Sequence, residues 1–155
     1  MKNLLYLLLA STLLLLSCQP KTNTNKFVGT WNDLQIPSGY AQLKINSKEN
    51  TFSYKSGGNG TKTFSKGHYE IIGDSIALTS LNASDIDGCY IILPFGQCYF
   101  KNLRQTKLNC QPSKTEFYDF FDNDIFYLKN NSLFHRDNPN EKCPDTTVHK
   151  FVKSK

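Results

Sequence analysis

Lys66-Gly67-His68-Tyr69-Glu70-Ile71-Ile72-Gly73-Asp74-Ser75-Ile76-Ala77-Leu78-Thr79 is the stretch that decides the architecture of this chain. Gly73-Asp74 is a tight-hairpin signal. The residues from Thr63 to Ile72 and from Ser75 to Leu81 flank it as two strands. Working outward, Tyr40 to Asn46 alternates. Ala41, Leu43 and Ile45 share one side, and Gln42, Lys44 and Asn46 share the other. That is the period of a half-buried strand. Phe52 and Tyr54 share a face of the next strand, after a turn at Ser47-Lys48-Glu49-Asn50.

The same rhythm continues in both directions. Phe27 to Ile36 reads as a first strand stopped by Pro37-Ser38-Gly39. Ser56-Gly57-Gly58-Asn59-Gly60 reads as a loop, as does Asn82 to Gly88. Cys89 to Pro94 and Gln97 to Leu103 form a second hairpin around Phe95-Gly96. Arg104 to Ser113 is loop. Glu116 to Phe121 is open between strand and short helix. Ile125 to Lys129 and Ser132 to His135 flank Asn130-Asn131, a third hairpin, and Thr147 to Val152 is a last strand. Phe (11), Tyr (8) and polar turn residues are plentiful, and windows rich in Ala or Glu are missing, which favours sheet over helix. The expectation is an all-β fold of eight to ten short antiparallel strands. Closing into a small up-and-down barrel would bury one face and remove the edges, and a two-sheet β-sandwich is the alternative.

Ahead of this domain lies a different kind of sequence. Lys2 is the only charge before Cys18, and Leu4 to Leu16 is apolar apart from Tyr6, Ser11 and Thr12. A positive end, a short apolar run and a small residue before the cut describe a secretory signal. The run is shorter than the roughly 20 residues a spanning helix needs. Leu15-Leu16-Ser17-Cys18 resembles the lipobox of bacterial lipoproteins. That resemblance implies cleavage after Ser17, lipid on the Cys18 sulfur (a diacylglyceryl thioether) and an acylated amine. Several acyl chains anchor far more firmly than one. Gln19 to Lys26 is polar and reads as a flexible tether. The expected organisation is therefore signal peptide 1–17, lipidated cysteine and tether 18–26, and barrel domain 27–155. The expected location is the bacterial cell envelope, held to a membrane through Cys18.

Losing Lys2 lowers the formal charge from +5 to +4. The remaining Lys and Arg are scattered rather than striped, so no nucleic-acid partner is expected. Four cysteines remain besides Cys18, namely Cys89, Cys98, Cys110 and Cys143. An even number in an exported chain suggests two disulfides. Of three pairings, Cys89 with Cys98 would clip a hairpin and leave Cys110 with Cys143. No C-x-x-C pair exists, and no His lies at ligand spacing from a Cys, so neither metal nor cofactor is expected.

Phe27-Val28-Gly29-Thr30-Trp31 resembles the Gly-x-Trp signature that opens lipocalin-like (calycin-type) barrels. The Lys66–Thr79 hairpin looks like one common in bacterial lipocalin-like lipoproteins. The resemblance covers about residues 27–81 and implies a barrel whose closed end Trp31 plugs, with ligand binding as the associated activity. The lipocalin Thr-Asp-Tyr motif is missing, and no basic residue matches the arginine that covers their tryptophan. On this reading Trp31, Phe52, Tyr54, Tyr69, Ile71, Ile76 and Leu78 would line a pocket or simply fill the barrel.

Signs of catalysis are absent. Gly57–Thr63 lacks the order of a phosphate loop. Asp119, Asp122 and Asp124 do not make a calcium loop, and they read as turn carboxylates. His68, His135 and His149 lie on separate strands and read as surface or core residues. No Gly-x-Ser-x-Gly elbow exists. Two functions are carried forward. One is binding of a small apolar or amphipathic ligand. The other is recognition of an envelope protein, as a stress sensor or an inhibitor of an exported enzyme, through disulfide-braced loops at Asn82–Gly88 and Arg104–Ser113.

Overall fold

The computed structural model describes residues 25–34, 36, 39–97, 103–136 and 148–154. The predicted signal peptide, Cys18, most of the tether, Cys98, Cys143 and the strand beginning at Gln97 lie largely or wholly outside the described residues.

The chain folds as an antiparallel eight-stranded barrel with a three-stranded insertion. The barrel strands are β1 (Gly29–Asp33), β2 (Gly39–Asn46), β3 (Thr51–Gly58), β4 (Thr61–Ile72), β5 (Ser75–Ser80), β9 (Asp122–Lys129), β10 (Ser132–Arg136) and β11 (Val148–Lys153). The insertion holds β6 (Ile91–Pro94), β7 (Arg104–Gln105) and β8 (Glu116–Phe120). Each barrel strand pairs with the next, and β11 closes on β1 with Trp31 opposite Lys153.

Pairing corrects two local expectations and decides a third that was open. Ser56, Gly57 and Gly58 are strand rather than loop, because β2 and β4 both pair with them. Gly57 is covered by the ring of Tyr40, which would lie 3.1 Å from an added Cβ. Arg104 and Gln105 are strand, paired with Ile92 and Ile91. Glu116–Phe120 is strand because β4 and β6 flank it, both in parallel.

The branch point is β4. Its first residues pair with β8 at Lys62, Thr63 and Phe64, and its last pair with β5 from Gly67 onward. Two strands thus share one edge of β4. Gly67 sits at the handover. A Cβ there would lie 2.1 Å from the Thr79 carbonyl oxygen and 2.8 Å from Phe52. Only glycine leaves room for both. Ser80 stitches the seam: its N–H donates to the Phe121 carbonyl and its Oγ accepts from the Phe121 N–H, each at 2.9 Å.

The interior is filled. Trp31, Leu43, Ile45, Phe52, Tyr54, Ile76, Leu78, Phe121, Phe126, Leu133 and Phe151 are buried in one cluster. Burying each large apolar side chain contributes about 1.5–3 kcal/mol. One end is shut by Phe27 and Trp31, both essentially inaccessible. The Trp31 Nε1–H donates to the Phe27 carbonyl at 2.7 Å, and Lys153 Nζ stands 5.2 Å from the indole centre. Lys153 therefore covers the tryptophan from the closing strand. Gly29, at φ +138°, makes this approach feasible, since a Cβ there would meet Lys153 Cε at 2.6 Å.

Candidate functional site at the barrel mouth

The other end of the barrel collects polar groups by a simple rule. In a strand, every second residue faces the same side. On four adjacent strands, one pleat beyond a buried apolar residue, an ionisable residue points inward. Asp33 follows Trp31 on β1, His149 precedes Phe151 on β11, His135 follows Leu133 on β10, and Asp124 precedes Phe126 on β9. The strand order is β1-β11-β10-β9, so the arc reads Asp, His, His, Asp.

The two histidines are cross-strand partners, with ring centres 6.1 Å apart. His149 Nδ1 lies 3.2 Å from Asp33 Oδ2, and His135 Nε2 lies 3.2 Å from Asp124 Oδ1. Asp124 also accepts the Asp122 N–H through Oδ2 at 2.9 Å. The Asp33 and His135 side chains are almost inaccessible, whereas 28% of the His149 side chain is exposed. A carboxylate buried this deeply needs such a partner to offset its desolvation. Each aspartate in turn fixes the orientation of its imidazole.

Phe95 occupies the space in front of these pairs. It comes from the turn after β6, where its N–H donates to the Phe120 carbonyl at 2.9 Å. Its ring stacks on Phe121 and reaches Tyr54, Phe126, His135 and His149, with centre separations of 4.0, 5.5, 5.9, 4.9 and 5.9 Å. The insertion thus plugs the mouth with one aromatic side chain, in contact with β3, β9, β10 and β11.

A second buried acid lies beside the seam. Asp119, on β8, accepts a hydrogen bond from Thr63 Oγ1, which also contacts Ser56 Oγ at 2.7 Å. Burial pushes the Asp119 carboxyl up to about 7, against the opposing effect of the Thr63 hydrogen bond. Desolvation wins because one neutral donor cannot replace a hydration shell.

The insertion is braced by a disulfide between Cys89 and Cys110, with Cα atoms 6.0 Å apart. Of the three pairings left open by the sequence, this selects the one that joins Cys89 to Cys110. The actual partner of β6 is the strand that leads into Cys110, so the bridge ties the outer ends of β6 and β7. Thr106 supports it. Its Oγ1 accepts the Tyr90 N–H at 3.0 Å and donates to the Gly88 carbonyl at 3.1 Å. Leu108, in the braced loop, is 94% exposed. The same insertion carries an open groove of about 500 Å³ lined by Ile91, Gln111, Pro112, Ser113, Lys114 and Phe117. A second groove, of about 400 Å³, lies where the insertion meets the barrel wall, between Tyr40, Lys55, Lys62, Phe64, Tyr90 and Glu116.

Of the predicted lining residues, Trp31, Phe52, Tyr54, Tyr69, Ile76 and Leu78 are buried together. Ile71 is not: it is 52% exposed. Pairing of β3 with β4 stops at His68, so Ile71 projects past the barrel wall. Among the three histidines, His135 and His149 converge and His68 stands apart on exposed β4 backbone near Glu49. No group of three or more potential metal-ligating side chains occurs among the described residues. Asp33, Phe95 and the buried state of Asp119 were not anticipated. Asp33 had a visible signal: it is an acid at a position where the alternation from Trp31 calls for an apolar side chain. Neither a family model, nor a curated protein, nor a solved structure matches this chain.

Proposed function

We propose that this protein is a lipid-anchored envelope protein that recognises another exported protein through its braced insertion, with the filled barrel as scaffold. It is read as a binding protein rather than an enzyme. The observation that carries the reading is Leu108, almost fully exposed on the loop tied by Cys89–Cys110, on the same insertion as the Ile91–Pro112–Phe117 groove. An apolar side chain held out on a braced loop, with an apolar groove on the same insertion, is surface available to a protein partner. A filled interior also favours an outer surface over a cavity as the place of action. The experiment is in-cell crosslinking from a photoreactive residue at position 107, next to Leu108, compared with one at Lys44 on the barrel wall. A reproducible adduct from position 107 alone, lost when Leu108→Arg is added, is the expected result. No adduct from either position would end the reading.

A second reading is favoured by the origin of Phe95. The plug belongs to the insertion, not to a barrel strand, so displacing it would uncover an aromatic chamber rimmed by the Asp33–His149 and Asp124–His135 pairs. A small amphipathic ligand with an aromatic or aliphatic body would fit there. Native mass spectrometry and solvent extraction of the purified protein test this. A bound molecule retained at equal stoichiometry favours the chamber, and an empty protein excludes it.

A further inference from the structure

The chain enters the fold at the closed end of the barrel, and two of its first residues are fastened to one hairpin. Asn25 Nδ2 donates to Tyr69 Oη at 2.7 Å, and Tyr69 Oη donates to the Asn46 carbonyl at 3.1 Å. Lys26 forms an ion pair with Asp74 in the β4–β5 turn. The tether is therefore pinned to the tip of the β4–β5 hairpin.

At that tip β4 outruns one neighbour, β3, while β5 stays paired with β9 as far as Ser75 and the Asp74 carbonyl accepts the Leu128 N–H. Past His68, β4 has lost β3 and keeps only β5. Ile71 and Ile72, consecutive residues on opposite faces of the strand, are each 52% exposed. Adjacent exposed isoleucines on opposite faces of a strand end that has lost its β3 neighbour are poorly explained by packing, since no one protein neighbour covers both faces. An interfacial medium that surrounds the tip on both sides covers both.

We propose that the β4–β5 tip, with Ile71 and Ile72, docks into the head-group region of the membrane to which the lipid on Cys18 holds the chain. This rests on the lipid-anchor reading. Seven residue steps separate Cys18 from Asn25, a reach of about 25 Å when fully extended. A tether this short keeps the tip at high effective concentration beside the bilayer, so a contact too weak to bind a free protein suffices. Charge adds little: Lys26, Lys48, Lys129 and Lys153 near this end are opposed by Glu49, Glu70 and Asp74. The consequence is a fixed posture, with the closed end on the membrane and Phe95 and Leu108 facing away from it.

The test uses the full-length lipidated chain reconstituted into phosphatidylcholine–phosphatidylglycerol vesicles with brominated acyl chains, which quench nearby indoles. Variants Ile72→Trp and Leu108→Trp are compared with the parent, whose Trp31 supplies the baseline. The added indole at position 72 should lose about half of its emission on bromination, as expected for interfacial depth, while that at position 108 loses none. Ile71→Trp repeats the reading at the neighbouring site if Ile72→Trp misfolds. Equal emission with and without bromine at positions 71 and 72, on protein that floats with the vesicles, overturns the docking and leaves the anchor standing. Quenching at position 108 as well overturns the posture. A chain that does not float, with no lipid mass on its amino-terminal peptide and no change in Cys18→Ala, removes the anchor and with it this inference.

Discussion

Phe95 and Phe121 lie ring on ring, 4.0 Å between centres and 20° from parallel, although one belongs to the inserted hairpin and the other to the β8–β9 junction of the wall. This stack lies at the centre of the contacts that couple the insertion to the barrel core. The β8 strand reaches the same junction, so movement of the hairpin and integrity of the seam at Ser80 are linked.

Phe95→Ala should open the mouth. Phe95 is only partly buried, so a loss of about 2–3 kcal/mol is expected, below the full range for a core phenylalanine. Urea unfolding followed by Trp31 emission measures it. A hydrophobic dye should bind the folded variant and not the parent. A variant that loses stability yet binds no dye would mean the wall collapses onto the vacancy.

Asp119 predicts a pH dependence with a definite sign. Its folded carboxyl is raised to about 7 from an ordinary 3.8. Between those values the folded state holds a proton that the unfolded state has released, so this group stabilises the fold at low pH. That contribution is complete below about pH 4 and falls as pH rises through 7. Asp119→Asn keeps the Thr63 hydrogen bond and cannot ionise. It should be more stable than the parent at pH 8, by roughly 2–4 kcal/mol, and equal to it near pH 4. The difference between the two proteins in chemical denaturation isolates this term, and a difference that does not change with pH would refute it.

Gly67→Ala should be among the most damaging single substitutions in the barrel. The new methyl would overlap the Thr79 carbonyl and the Phe52 ring. Part of the overlap is with backbone, which cannot rotate away, so a cost of about 2–4 kcal/mol is expected. Thermal unfolding reads it. Gly73→Ala is the comparison: its Cβ meets nothing within 4 Å, and only the left-handed backbone is penalised, by about 1 kcal/mol.

Cys89 and Cys110 should appear joined in a non-reducing peptide map. Replacing both with alanine should raise amide exchange from Thr106 to Ser113, while β1 to β4 keep their protection. The bridge closes a short loop, worth up to about 3 kcal/mol, and its effect stays local because the wall strands make their own pairs. Faster exchange throughout the barrel would show that the insertion is needed for the wall to form.

The barrel was legible because its evidence is local. Ala41, Leu43 and Ile45 alternate, Asn130-Asn131 supplies two residues at positive φ, and Gly73-Asp74 marks a turn. Each needs only a few neighbouring residues to be read. The arc at the mouth was half legible. Trp31-x-Asp33, Asp124-x-Phe126, Leu133-x-His135 and His149-x-Phe151 all place an ionisable residue in register with the core face. What makes them one site is the adjacency of β1 and β11, which no short window contains. Phe95 was read as part of a turn, which it is, but nothing local says where a turn side chain will point. The disulfide pairing stayed open for the same reason: what selects Cys110 is that the strand paired with β6 leads to it.

The closure of β1 on β11 ties together strands that begin 119 residues apart, at Gly29 and Val148. Such a ring cannot be assembled progressively. Until the last strand arrives, β1 and β10 each expose a row of unpaired amides and carbonyls, the template on which chains add to one another. Closure of so long a loop is also slow, because its entropy is lost before the pairing rewards it. A chain shortened by its final strand would therefore be more than a weakened barrel. It would be an open sheet with two adhesive borders, and β11 is the lock that removes both.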